Sequence, residues 1–544
     1  MMFNKIKDKI INKKIIEKLL LFFMMLQPIL DLYFLFDEKI VNLFGFSPST
    51  IIRILFVGII GILFLFVLRS KKEFWTYFLY IGMVLIYTII HHFNALNFTN
   101  FYDGYDFGYS LVSELFYLIR MLMPLFLIVV SSHYEFDDKY IGKLITILIF
   151  LICGSIIITN LLEISTGSYS KQIIGGNIFC WFDENRCYLN YMDLASKGFF
   201  NDPNRLSALL VLITPLTIYT LIKNPTLKNK TLLLLNLIGG LMIGTKVSTY
   251  GFLILTLLSL GVYLFFTIIK KEIKFKLSTF VFITIIFISN VVILPYSPAI
   301  NRTYVDQKVH EEYNSDENGQ KTENQNNMDK ITDKINKEYP KKENKKEPVT
   351  EEEKTKEKEK KQLLIEFVGN NYEKYSIHSH FILKSYPYQY DPEFWYDVMK
   401  MDIESRTNFR NLEKLMLERV KEINNNKLDN YFGITFTRMG NIFDLERDFV
   451  SHYYTLGIVG LILFVIPYII VILICLCKML INFKECFNLK NVFYLMGIGI
   501  SLGAAYFTGN VLDGLIVTLI LGVMVGQLIN SCFNLKNVFT KDKN

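Results

Sequence analysis

The sequence predicts an all-α polytopic membrane protein with about twelve transmembrane helices and one large extracytoplasmic loop. Composition and charge placement predict it. Of 544 residues, 51% are hydrophobic and 15% aromatic, and mean hydropathy is positive. Only 20% are charged, too few to cover that much apolar surface in a soluble fold. The charge is also segregated. Residues 308–361 hold 14 Lys and 15 Asp+Glu in 54 positions, and the other 490 residues hold 80 charges. These facts exclude a soluble globular enzyme, a nucleic-acid-binding domain and a disulfide-dense secreted scaffold.

A hydrocarbon core of about 30 Å demands roughly 20 mostly apolar residues per helix. That length fits 17–36, 50–68, 74–93, 110–131, 143–162, 205–222, 231–247, 250–268, 278–297, 449–477, 492–509 and 513–531. The basic start leads into an apolar stretch too long for a signal peptide, so it is read as the first span. The pair 231–247 and 250–268 is a hairpin turning at Gly244-Thr245-Lys246. With twelve crossings, all seven Lys- and Arg-rich connections fall on one side, from Lys5–Lys14 to the tail Lys536–Lys543. The positive-inside rule makes that side the cytoplasm, with both termini inside.

The chain then divides into 1–298 (helices 1–9), 299–448 (outer loop), 449–531 (helices 10–12) and a cytoplasmic tail, 532–544. Other outer connections are 93–108 and 162–204. Within the large loop, 309–361 is Glu, Lys and Asn with few apolar residues, so it is expected to be disordered or a loose helix. The part 362–448 is partly helical. In 409–424, Leu412, Leu415, Met416, Val420 and Ile423 recur at helical spacing. That helix lies on the membrane mouth or packs on the loop's own core.

Cys180 and Cys187 share an outer loop and can close a disulfide. The octapeptide CFNLKNVF occurs at 486–493 and again at 532–539. Its plain reading is a local duplication or an interfacial anchor. No P-loop, GxGxxG, HExxH or GxSxG is present, and His91-His92 and His378/His380 stand as isolated pairs. No metal or other cofactor is expected.

Ionisable residues inside spans are costly and need partners or a task. Asp31, Arg53, Glu114, Arg120, Arg205 and Lys246 are such residues. Most fall near the outer leaflet, with Arg120 about 9 Å deeper than Glu114. Snorkelling and internal pairing, for instance Glu114 with Arg53, is one explanation. The other is a joint anion site, and a phosphorylated lipid head group suits it because guanidinium binds phosphate through two hydrogen bonds.

Several segments, taken in order, resemble the O-antigen ligase and polymerase superfamily of bacterial polysaccharide assembly, in its Gram-positive form. They are LQPILDL (26–32), SPSTIIRILF (47–56), SELFYLIRMLMP (113–124), GFFNDPNRLSALL (198–210) and LMIGTKVSTYG (241–251). In the large loop and beyond follow DPEFW (391–395), ESRTNFRNLE (404–413), NYFGITFTR (430–438) and ERDFVSHYYTLGIVG (446–460). The resemblance implies transfer of a glycan from a polyprenyl-diphosphate carrier to a sugar hydroxyl at the outer face. Its partners are that donor, a glycan acceptor and the bilayer, with no nucleic acid. It also implies roles: Arg205, Arg406 and Arg410 for the diphosphate, with Lys246, Arg438, Arg53 and Arg120 as further cations. Many ligases carry His about eleven residues before the first glycine of the Gly-x-x-Gly pair. Here that position is Glu446, which becomes the candidate base, with Asp448 or His452 in support. Helix capping is the other explanation for Glu446 and Asp448. Two other classes remain: a twelve-helix transporter, and a polyprenyl-phosphate-sugar glycosyltransferase using Asp37-Glu38. Polymerase and ligase are not separable at this level.

Overall fold

A computed structural model describes residues 13–36, 47–67, 71–99, 106–183, 190–339, 351–442 and 445–533. Among these residues the fold is helical, and β-pairing is limited to isolated bridges such as Leu32 with Phe200. We label α1 (Lys13–Leu26), α2 (Pro48–Val67), α3 (Lys71–Leu96), α4 (Leu111–Ser132), α5 (Asp138–Leu161) and α6 (Pro203–Lys223). Next come α7 (Leu227–Ile243), α8 (Lys246–Leu264), α9 (Leu277–Ile293), α10 (Asp448–Ile481), α11 (Leu489–Phe507) and α12 (Leu515–Phe533). Each overlaps one predicted span. Nine helices among the described residues are long and apolar enough to cross a membrane; α1, α7 and α11 are not in that set. The protein is therefore a multi-pass membrane protein.

The first span differs from the expectation for 17–36. Pro28 supplies no N–H and clashes with a preceding carbonyl. The helix stops at Leu26, and two short 3-10 turns follow, Ile29–Asp31 and Tyr33–Phe36. The 231–268 hairpin is two helices joined at Gly244, which adopts φ 71°.

Helices α6 and α12 form the centre, with 94% and 89% of their apolar windows buried, against 17% for α3. A helix apolar on every side belongs inside a bundle. Small residues let backbones approach: a Cβ on Gly522 would lie 2.5 Å from the Pro124 carbonyl oxygen of α4, and one on Gly526 would collide with Ser131.

The outer layer has its own apolar core of Trp395, Tyr386, Leu412, Met416, Leu417 and Val420. The helix Phe409–Asn424 thus packs on the loop's core, with Leu415 and Ile423 only half-buried. The charged insert is helical wherever it is described, in Pro298–Glu338 and Glu351–Asn371. Pairs such as Lys354 with Glu351 and Lys356 with Glu352 line its surface at helical spacing.

Helix α10 breaks at Gly457, φ 68° and ψ −177°. A break inside a membrane must be re-satisfied by protein. Tyr454 and Thr455 carbonyls accept from the Ile434 and Thr435 amides, and Leu456 accepts from the Tyr87 hydroxyl at 2.7 Å. A side chain on Gly433 or Gly457 would strike the opposite backbone. The glycine turn of the loop and the glycine pair of α10 are one interlock.

Candidate functional site

The outer layer meets the bundle around the turn 508–514, between α11 and α12. Asp448 opens α10 and is fully buried. Its carboxylate accepts three backbone N–H bonds, from Asn510 at 2.7 Å, Val511 at 2.9 Å and Leu512 at 2.7 Å. It therefore caps this turn rather than its own helix. Gly509 packs so closely that a Cβ there would collide with the Glu446 carbonyl, and a Cβ on Gly514 would lie 2.9 Å from the Arg205 stem. The turn holds Glu446, Asp448 and Arg205 in one neighbourhood although they lie on separate elements.

Three of the predicted cations gather here. Arg53 lies within electrostatic reach of Asp31, Arg205 and Arg120. Its Nε donates to Gln27 at 2.8 Å and its Nη1 to the Ser49 hydroxyl. Arg120 donates from Nη2 to the Asp513 carbonyl at 2.8 Å. Arg205 pairs with Asp202 at 3.7 Å. Lys197 joins from the 162–204 connection, where burial pulls its ammonium below the usual lysine range. Such a cluster of like charges is unfavourable unless anions share it; Asp31 lies within electrostatic reach of Arg53 and Arg205, and Asp202 pairs with Arg205.

Arg410 and Glu446 are brought together. Both Nε and Nη2 of Arg410 donate to Glu446 Oε2, at 3.0 and 2.6 Å, and both side chains are half-exposed. Beside them, the His452 imidazole is buried, with Nδ1 at 2.8 Å from the Tyr117 hydroxyl and Nε2 facing Asp513 at 4.0 Å.

Other predicted site residues sit elsewhere. Arg406 is buried in the outer layer, and its Nε and Nη1 donate to the Tyr375 and Met401 carbonyls, each at 2.7 Å. Arg438 is buried too, with Nε on the Asp106 carbonyl at 2.9 Å, Nη1 on Ala95 at 3.0 Å and its plane over Phe98. Burial pulls its guanidinium below the usual range. Both tie loops together. Lys246 is half-exposed and faces Asp306 at 4.0 Å. Glu114 does not pair with Arg53. It accepts from the Thr437 amide and hydroxyl and meets His91 at 3.3 Å, so the His91-His92 pair is not isolated.

Cys180 is disulfide-bonded; Cys187, its expected partner, lies outside the described residues, as do Asp37, Glu38 and most of the second CFNLKNVF copy. Sequence reasoning missed Tyr117, Lys197 and Asp513. Asp513 carried one available signal, being the lone carboxylate between two apolar helices. Among the described residues no group of three His, Cys, Asp or Glu side chains is arranged to hold a metal.

A family model described as "O-antigen ligase like membrane protein" matches residues 13–534. No curated protein matches the chain.

Proposed function

The chain belongs to the O-antigen ligase-like membrane protein family, a family of membrane glycan-transfer enzymes, and on that premise we propose that it moves a glycan from a polyprenyl-diphosphate carrier to a sugar hydroxyl, as polymerase or ligase. In this reading both termini are cytoplasmic, and 299–448 is an extracytoplasmic layer over the site. The carrying observation is the meeting of Arg53, Arg120 and Arg205 with the Arg410–Glu446 pair around the turn 508–514.

The acceptor hydroxyl oxygen attacks the anomeric carbon of the donor. The bond from that carbon to the phosphate oxygen breaks, and its electron pair leaves on the diphosphate. Arg53, Arg120 and Arg205 stabilise the charge that develops there, so neutralisation needs no metal. The hydroxyl proton passes to Glu446. Arg410 holds Oε2, which aims Oε1 at the acceptor. His452 and Asp513 flank the site. Arg406 and Arg438 position the outer layer and do not touch the diphosphate.

The test is transfer from a lipid-linked oligosaccharide by reconstituted protein. Glu446→Gln at wild-type membrane level is expected to lose at least about 100-fold in rate. Wild-type activity in that variant would sink the assignment of Glu446. Absence of transfer by the wild-type chain with every lipid-diphosphate donor would sink the reaction class.

A further inference from the structure

The outer layer carries an open groove of about 440 Å³ that the reaction above does not use. One wall is the C-terminal half of the helix Phe409–Asn424, with Glu418, Lys421 and Glu422; the other is the start of α10, with Tyr453 and Tyr454. Asn430 lies on its floor beside the glycine interlock. Lys421 donates to Asn430 Oδ1 at 2.8 Å, and its ammonium sits 4.5 Å from the centre of the Tyr453 ring. The Tyr453 hydroxyl donates to the same Asn430 oxygen at 3.1 Å. These side chains are therefore held in place before any ligand arrives.

The lining selects a chemistry. Glu418 and Glu422 balance Lys421 and Lys427, so the groove is neither an anion nor a cation site, and a diphosphate has no reason to settle there. Carboxylates and amides dominate, so an isoprenoid tail is not accommodated. The Lys421 ammonium covers the Tyr453 ring and Tyr454 is buried, so the groove offers paired acceptors and donors rather than a stacking face, which suits a ligand carrying many hydroxyls.

Position adds the second argument. The helix that carries Arg410 at its start also carries the groove wall. At 1.5 Å per residue, Glu418 lies about 12 Å and Asn425 about 22 Å along from Arg410. On the other wall, Tyr453 is about 8 Å along α10 from Asp448. The groove thus begins about 12 Å from Arg410 and runs on for about 10 Å more, so a linear glycan lying in it reaches back toward the Arg410–Glu446 pair.

We infer that this groove is the acceptor subsite, which holds the growing or receiving glycan as an oligosaccharide with its reactive hydroxyl at Glu446. The inference rests on the glycan-transfer reading for its role, and on the groove alone for its ligand.

The probe is a set of hexa- to octasaccharides released from the producing cell's own surface polysaccharide, titrated calorimetrically into the detergent-purified full chain. The test variant is Glu422→Gln with Asn430→Ala, both at exposed positions, compared with the wild type at equal melting temperature. Binding by the wild type that weakens about tenfold or more in the variant supports the subsite. Equal binding by the two, or no binding by the wild type, overturns it. In the transfer assay the same variant raises the acceptor KM by a similar factor and leaves donor KM and kcat unchanged. Unchanged acceptor KM with normal transfer removes the subsite and leaves the reaction class standing. Loss of transfer in the wild type with oligosaccharide binding intact does the reverse.

Discussion

The outer layer and the bundle use the same residue type in opposite ways. In the outer layer, Arg406 and Arg438 are buried and direct their guanidinium nitrogens at backbone carbonyls. Each replaces a missing element of regular structure, satisfying acceptors that irregular backbone leaves behind. At the mouth of the bundle, Arg53, Arg120 and Arg205 come from three helices and converge within electrostatic reach of one another. In the proposed reaction those three meet the leaving diphosphate. The contrast separates arginine as scaffold from arginine as ligand-binder. It does not turn on burial, since Arg53 is as buried as Arg438, nor on carbonyl contact, since Arg120 also donates to the Asp513 carbonyl; it turns on the gathering of three cations.

The contrast breaks if removing a bundle arginine unfolds the protein without a specific loss of turnover. Arg205→Ala is expected to lower kcat about 1,000-fold, roughly 4 kcal/mol of barrier, with the melting temperature unchanged. Kinetics and thermal melting of the same purified sample decide it. Arg438→Ala should do the converse. It leaves the Ala95 and Asp106 carbonyls without a donor and is expected to cost about 3 kcal/mol of stability. The readout is a lower melting temperature and faster proteolysis of the outer layer, with kcat of the folded fraction retained. Arg406→Ala should follow Arg438→Ala, because it strips the Tyr375 and Met401 carbonyls in the same way.

Much of this was legible along the chain. Apolar runs placed the helices of the bundle, nine of which among the described residues are long and apolar enough to span, because a membrane span is a local property of about twenty residues. Glu446 stood out by its place in the family resemblance, about eleven residues before Gly457, and Arg205 as the cation starting α6. Partners were not legible. Asp448 closes on Asn510, 62 residues away, and no local pattern announces that. The His91-His92 pair seemed idle in sequence because Glu114 reaches it from the neighbouring helix. The carbonyl partners of Arg406 and Arg438 were not legible either, because an arginine bound to backbone carbonyls and one bound to phosphate look the same in a sequence. Pro28 could have warned that the first span stops early, since a proline at that place ends a helix on local grounds.

Asp448 sharpens the contrast because it is a scaffold residue at the functional mouth. Asp448→Asn keeps the shape but puts an amide where three N–H groups converge. The expected cost is about 2 kcal/mol of stability. Because the turn 508–514 positions Glu446 and Arg205, kcat should fall with it. A variant that melts early yet turns over normally when folded would show that the turn does not set the site.

The smallest effect concerns the short helix Ile403–Thr407 that carries Arg406. Asp402 caps it, accepting from the Ser405 amide at 2.9 Å and hydroxyl at 2.7 Å. Those bonds favour the carboxylate and hold the Asp402 carboxyl below its ordinary value of 3.8. A group depressed in the folded state contributes stability above its unfolded pKa and loses it as pH falls through the folded one. The outer layer should therefore loosen progressively below about pH 4, the range where an ordinary aspartate titrates. Asp402→Asn should flatten that acid limb without altering melting at neutral pH by more than a small amount, since the site is exposed. Proteolysis of the outer layer across pH 2.5–5 with an acid-active protease reads the limb. An unchanged limb in Asp402→Asn would assign the acid sensitivity to other carboxylates and leave Arg406 anchored by its two carbonyls alone.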